Sequence, residues 1–507
     1  MTETIPQTRQ TPPATDTAPR GGHSEAEAQA HAAGKLSARS RTLITLLLVA
    51  TFVVILNETI MGVALPRVME DLGIDASVGQ WLTTAFLLTM AVVIPISGYL
   101  IQRFPTRVLF GLAMSLFSAG TLIAALAPGF PVLLLARVVQ ASGTAIMLPL
   151  LMTTVMTLVP PASRGKMMGN ISIVISVAPA IGPTISGLVL HSLSWRFIFW
   201  IVLPIALVSL ILGLILVVSV GERTSAPIDI VSIPLAALGF GSLVYALSSI
   251  GEAADGSALM PIWIPFVVGA LALAAFIARQ LVLQRQDRAL LDLRTFRSRV
   301  FTASVVTMAI TMSALFGTII LLPIYLQTAL GLEPLTTGLL VLPGGITMGI
   351  LGPVVGRLYD KFGPRVLLVP GTAVVSGALW LLAFAGAAAS PWYVGAVYLI
   401  LSIGLAFTFT PLFTSGLGSV QPRLYSHGSA IIGTVQQVAG AAGAALFVTV
   451  LAVAGAGVAS AGGDAAAQAA AGTHSAFMVA ASISMVGIIT GLFVKRSANA
   501  PDMAMHH

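Results

Sequence analysis

The chain of 507 residues has no cysteine, and only 8% of its residues are charged. Without thiols it has no disulfide framework, no thiolate metal site and no cysteine nucleophile. A soluble domain carries about 25% charged residues, so a chain this poor in charge has no polar coat to hold it in water. Its seven histidines are scattered without metal-ligand spacing. Glycine is plentiful, at 49 residues, yet no G-x-x-x-x-G-K-[ST] loop occurs. A nucleotide-driven pump within this chain is therefore not expected, nor is a metal, a nucleotide or any other cofactor. No segment offers an appended catalytic domain, so no enzymatic activity is expected either.

What the chain does have is hydrophobic length. Hydrophobic residues make up 57% of it. Fourteen apolar stretches come near the ~20 residues that cross a bilayer. They fall at 42–65, 80–101, 108–127, 132–157, 168–190, 195–219, 229–250, 260–282, 300–326, 336–357, 366–387, 392–416, 429–453 and 475–494. The sequence thus predicts an all-α polytopic membrane protein. Residues 1–41 are rich in Thr, Pro, Ala, Ser and Gly and read as a disordered cytoplasmic tail. No cleavable signal peptide is read there, and the first apolar stretch is expected to act as an uncleaved anchor.

The formal charge of +7 belongs to topology rather than to a nucleic-acid partner. With the N-terminus in the cytoplasm and strict alternation, 22 of the 25 lysines and arginines fall inside. Only Arg67 and Arg196 fall outside, and Arg137 remains within a span. Both termini are then cytoplasmic, as expected for a protein of the plasma (inner) membrane. Trp81, Trp195, Trp263 and Trp392 fall at outer helix ends, as an interfacial aromatic belt requires. Between Arg279 and Arg299, arginines alternate with Leu290, Leu291, Leu293 and Phe296. This pattern predicts an amphipathic stretch lying on the anionic inner leaflet, with membrane lipid as its partner.

Two loops repeat each other. Residues 95–109 read PISGYLIQRFPTRVL and residues 353–367 read PVVGRLYDKFGPRVL. Pro95/Pro353, Gly98/Gly356, Leu100/Leu358, Phe104/Phe362 and Arg107/Arg365 coincide without a gap. A repeat on the same side of the membrane implies two halves in parallel orientation. The expected organisation is a tail at 1–41, a six-helix bundle at 42–219 and a two-helix insert at 220–282. A basic amphipathic loop at 283–299, a second six-helix bundle at 300–494 and a cytoplasmic tail at 495–507 follow.

With these motifs the chain resembles the major facilitator superfamily, in particular its fourteen-helix drug:proton antiporter branch, from Thr42 to Arg496. The loop motif G-x-L-x-D-x-x-G-x-R is complete as Gly356, Leu358, Asp360, Gly363 and Arg365. In the first half Gln102 replaces the acid and Pro105 the second glycine. The fourth-span motif is Arg137-Val-Val-Gln140-Ala-Ser-Gly143, and the fifth-span antiporter motif is Ala180-Ile-Gly182-Pro183-Thr-Ile-Ser-Gly187. The first-span signature is Leu56-Asn57-Glu58-Thr59-Ile60. The branch usually has an aspartate where this chain has Asn57; the Asn-Glu-Thr form is similar to that of lincomycin-type resistance exporters. The resemblance implies a proton-coupled antiporter of small organic molecules, built as two six-helix bundles with two inserted helices.

Ionisable groups inside a bilayer are costly and mark function. Glu58 and Arg137 are the two left once loops and helix ends are set aside. Glu58 is the candidate proton carrier, since burial disfavours its charged form. The alternatives are a place in an outer vestibule or a pairing with a basic group. Arg137 stays charged at ordinary pH and cannot carry the proton. It shares one helix face with Gln140 and Thr144, and the resemblance gives it a part in proton coupling; the alternative is a structural anchor. Asn57, Gln140, Thr144, Gln436 and Gln437 are candidate cavity residues. Gly182, Pro183 and Gly187, with Gly169 and Pro179, make a kinkable, small-faced helix where the halves would seal and part. Arg103, Arg107, Asp360 and Arg365 are the candidate cytoplasmic charge latch, weaker or built otherwise in the first half because of Gln102. The expected partners are protons, lipid and a small-molecule substrate, with no nucleotide and no nucleic acid. An exporter dedicated to one endogenous antibiotic, peptide or lipid precursor stays open, as does a non-transporting sensor with the same fold.

Overall fold

The computed structural model describes residues 36–217, 228–250, 260–386 and 389–495. Most of both expected tails, and the loop holding Glu222, Arg223 and Pro227, lie outside the described residues. Among the described residues, and leaving short single turns aside, fourteen helical segments follow in chain order. In the first half they are α1 (Ala38–Leu72), α2 (Ala76–Arg103), α3 (Thr106–Ala125), α4 (Phe130–Leu158), α5 (Arg164–Ser192) and α6 (Arg196–Leu216). The insert holds α7 (Ser232–Ser248) and α8 (Trp263–Leu283). The second half holds α9 (Arg299–Ile324), α10 (Pro334–Phe362), α11 (Arg365–Ala383), α12 (Pro391–Gly418), α13 (Tyr425–Ser460) and α14 (Ala465–Leu492). Thirteen of them are long and apolar enough to cross a membrane. The exception, α7, is shorter and is widened by a π-turn at Ala237–Gly241.

Polar caps and glycines separate these long apolar runs. Ser37, Asp75, Ser298 and Asp464 accept from the backbone N–H groups of Ser40, Val78, Phe301 and Ala467, each opening a helix. Gly73 closes α1 with φ 62°, a left-handed conformation that glycine adopts without a steric cost. Strict alternation puts the start of α1 and the end of α14 at one end of the bundle, called here the terminal face, opposite the far face.

Across the two halves, α5 lies along α10 and α2 along α13. The repeated loop motif explains both contacts. A Cβ on Gly356 would stand 2.2 Å from the Gly165 carbonyl oxygen, and one on Gly169 would stand 2.3 Å from that of Gly352. Backbone therefore touches backbone, which only glycine permits. Gly98, the repeat mate of Gly356, sits against Ala430 and Ser426 of α13, more loosely at 3.0 and 3.2 Å. The α5–α10 contact continues through Ala180 and Gly345. Two helical turns further toward the far face, a Cβ on Gly187 or Gly338 would meet nothing within 4 Å. The halves are shut at the terminal face and parted at the far face.

The insert packs on one side of this frame. α7 lies against both α2 and α13, with Tyr245 stacked on Trp81 at 5.9 Å between ring centroids. The loop after α8 differs from the amphipathic surface stretch that its sequence predicts. Leu290 and Leu291 are buried in the protein core instead of turned toward lipid. The reason is local hydrogen bonding. Gln280 Oε1 accepts from the Leu290 and Leu291 N–H groups at 2.8 and 3.2 Å, and its Nε2 donates to Ser232 Oγ at 2.7 Å. Arg294 is held by Asp292 and Asp287. The loop thus pairs Arg294 with its own acids and folds inward; Phe296 stays exposed. The aromatic belt also needs a correction at Trp195. That residue is buried, and its indole N–H donates to Asp71 at 2.9 Å, whereas Trp263 and Trp392 are exposed.

Candidate functional site

The polar centre of the first half is built on α1 and α4. Arg137 and Gln140 lie one turn apart on α4, and both are buried. Arg137 Nη1 donates to Gln140 Oε1 at 3.0 Å and to Asn57 Oδ1 at 3.5 Å, and its Nε donates to the Leu82 carbonyl at 3.4 Å. The guanidinium stands 4.1 Å from the centre of the Phe86 ring, so α2 supplies an aromatic face to the cation. Gln140 Nε2 donates to Thr121 Oγ1 at 2.9 Å. Arg137 is thereby held by α1, α2 and its own helix, with α3 bracing Gln140. The nearest family acid position, Asn57, offers it a neutral oxygen.

Glu58 follows Asn57 in the chain and is turned about 100° from it around α1. It is half-buried and makes no hydrogen bond or ion pair among the described residues. Its relation to a basic group is electrostatic and at a distance: Arg137 is near enough to act on it without a direct contact. Arg137 likewise has no carboxylate within 4.0 Å among the described residues. The site therefore holds a fixed cation and an acid that is coupled to it through space, without a hydrogen bond or a close ion pair.

The remaining predicted residues divide. Thr144 is buried but spends its hydroxyl on the Gln140 carbonyl of its own helix, at 3.0 Å. Gln436 and Gln437 are half-buried on α13 and make no hydrogen bond among the described residues. Gly182 faces Thr59 of α1, with 2.4 Å from its Cβ position to Oγ1, so it joins two helices of the same half. Gly187 lies in the parted region, and Pro183 is within α5. The glycines that seal the halves are Gly165, Gly169, Gly352 and Gly356. Gly169 belongs to the small face read on the fifth span and Gly356 to the loop motif, while Gly165 and Gly352 were not singled out from sequence.

At the terminal face Asp360 reaches across the seam. Its Oδ1 and Oδ2 accept from the Gly165 and Lys166 N–H groups at 2.8 and 2.9 Å. These are unpaired donors at the N-terminus of α5, where the helix dipole favours negative charge. In the first half Gln102 holds the matching place and donates Nε2 to the Arg423 carbonyl at 2.6 Å, just before α13. The missing acid is replaced by an amide that bonds the opposite polarity of backbone. Arg365 donates to the Leu492 carbonyl of its own half at 3.3 Å, and Arg103 and Arg107 are exposed. Two more bonds cross the seam near this face, Thr153 to Ser429 at 3.1 Å and Ser172 with Thr410 at 2.8 Å. Thr121, Phe86 and Leu82 were missed as partners of the Arg137 centre because they come from helices whose rotation the sequence does not show. No group of three or more metal-ligating side chains occurs among the described residues.

Comparisons with known proteins agree with this architecture. The chain is 40% identical over 406 residues to the lincomycin resistance protein LmrB of Listeria monocytogenes, covering 80% of this chain and 85% of that one. It is 39% identical over 388 residues to LmrB of Bacillus subtilis, covering 76% and 80%. Multidrug resistance protein B homolog of Mycobacterium tuberculosis is 29% identical over 382 residues, covering 74% and 69%. Among solved structures, the human organic anion transporter MFSD10 superposes with a TM-score of 0.62 at 14% identity, covering 89% of this chain and 99% of that one. The proton:xylose symporter XylE superposes with a TM-score of 0.61 at 14% identity, covering 90% and 96%. Residues 47–444 match the Major Facilitator Superfamily model. Two glycine-sealed halves, the paired loop motifs and these relatives lead to one statement: the chain is a multi-pass membrane transporter belonging to the major facilitator superfamily.

Proposed function

We propose that this transporter is a proton-coupled antiporter that exports small amphipathic organic compounds by alternating access. Its termini face the cytoplasm, so the shut terminal face is the cytoplasmic gate. The observation that carries the proposal is Glu58, an acid within a membrane span whose side chain has neither hydrogen bond nor ion pair among the described residues. A proton on Glu58 removes the nearest compensation for the fixed charge of Arg137, so protonation changes the field inside the first half. Substrate and proton then compete for the same outward-open state, and Gln436 and Gln437 serve as cavity contacts. The names of the relatives, lincomycin and multidrug resistance proteins, support the substrate class.

The test is a proteoliposome carrying an imposed pH gradient. Parental protein moves protons when substrate is added. Glu58→Gln, checked for folding by its melting temperature, loses at least tenfold of that movement. A folded Glu58→Gln that transports at the parental rate under the same gradient overturns the mechanism.

A further inference from the structure

A second site lies away from the transport path, on the outer surface of the first half. A cleft of about 640 Å³ opens between α1 and α6 at the terminal face. Its size falls within the roughly 300–1,000 Å³ typical of ligand clefts. Arg41, Thr42, Thr45, Leu46 and Val49 form one wall, at the i, i+1, i+4, i+5, i+8 spacing of a single face of α1. The facing wall of α6 runs from Pro204 to Leu216 and is apolar except for Ser209. Val49, Ile205, Val208 and Leu212 are each between 41 and 55% exposed, so the cleft opens onto the surrounding lipid. Arg41 stands at its terminal-face end, exposed, and its guanidinium makes no hydrogen bond or ion pair among the described residues. From Arg41 to Val49, eight residues of α1 span about 12 Å. One leaflet of a ~30 Å hydrocarbon core is about 15 Å deep.

We propose that this cleft holds one anionic phospholipid of the terminal-face leaflet, its acyl chain between α1 and α6 and its phosphate on Arg41. The chemistry at each level matches such a lipid. A free guanidinium pairs with phosphate oxygens in a bidentate fork, the Thr42 and Thr45 hydroxyls lie at the depth of the glycerol esters, and the lower cleft is hydrocarbon. Basic groups at a membrane surface favour anionic over zwitterionic lipid.

The test uses full-length protein equilibrated with equal phosphatidylglycerol and phosphatidylethanolamine, then counted for retained lipid by native mass spectrometry. Parental protein retains phosphatidylglycerol over phosphatidylethanolamine by at least threefold. Arg41→Ala abolishes that preference. Val208→Trp, which fills the cleft from an exposed position, loses retention of both lipids while keeping its melting temperature within a few degrees in detergent. Arg39→Ala, about 200° around α1 from Arg41, keeps parental retention. Equal retention of the two lipids by the parent, or parental retention in Val208→Trp, overturns the proposal. Displacement of the lipid by inorganic phosphate alone also overturns it, because the cleft would then contribute nothing beyond an anion contact.

Discussion

At the residue scale, the Arg137 centre is a hydrogen-bond chain from Asn57 to Thr121, and its members depend on one another. Gln140→Ala leaves one donor of Arg137 without its buried partner, while the Thr121 hydroxyl keeps its bond to the Phe117 carbonyl. The expected cost is about 1–3 kcal/mol per unsatisfied group, read as a lowered melting temperature, with transport reduced. Arg137→Lys keeps the charge but loses the planar fork and its stack on Phe86; transport measured beside the melting temperature should stay well below parental. In the turn ahead of α7, outside the helix, Asp229 accepts from Arg279 Nε and Nη2, both at 2.6 Å, and this guanidinium pushes its carboxyl down to about 2. A depressed acid stabilises the fold above its ordinary range near 3.8 and loses that contribution as pH falls toward about 2. The melting temperature of Asp229→Asn should therefore lie below the parental value at pH 6 and converge on it between pH 4 and pH 2. A gap that stays constant through that window would contradict the assignment.

At the element scale, the seam between α5 and α10 relies on four glycines at the terminal face. Gly356→Ala places a methyl group where the Gly165 carbonyl lies 2.2 Å away, and a backbone oxygen has no rotamer by which to yield. The helices must separate there, so the terminal-face closure should weaken. Because the chain has no cysteine, single reporters can be placed freely. Maleimide labelling of Met348→Cys, half-way along α10, should rise severalfold from the terminal side in the Gly356→Ala background. Unchanged labelling would show that these glycines pack without gating. The insert follows the same logic. Its loop is fastened through Gln280, Asp292 and Arg294 beside α13, so Gln280→Ala should loosen Leu290 and Leu291 and speed proteolysis of that loop.

At the scale of the whole molecule, the polar bonds that cross the seam through Gln102, Thr153, Ser172 and Asp360 all lie toward the terminal face. The far face is parted at Gly187 and Gly338. Alternating access requires these bonds to break when the other face closes. Gly338→Cys should react with impermeant maleimide added outside intact cells, and a saturating proton load or bound substrate should change that rate by severalfold. Labelling from the cytoplasmic side alone would reverse the orientation proposed above.

The sequence by itself determined the membrane class, the number of apolar runs and the two-half organisation. Bilayer solvation acts on each segment separately, so hydropathy and loop charge report it without tertiary contacts. Glu58 and Arg137 were legible for the same reason, since a lone charge in an apolar run stands out in one dimension. Tertiary structure decided what depends on helix rotation and on which halves meet. It turned Asn57 rather than Glu58 to hydrogen-bond Arg137, set the closest contact of the halves at Gly165, Gly169, Gly352 and Gly356 instead of at Gly182, and drew Leu290 and Leu291 into the core. An apolar helix carries almost no periodic signal to say which face is inward, because lipid and protein interior are nearly equal as solvents. Close packing and hydrogen bonding between helices make that choice.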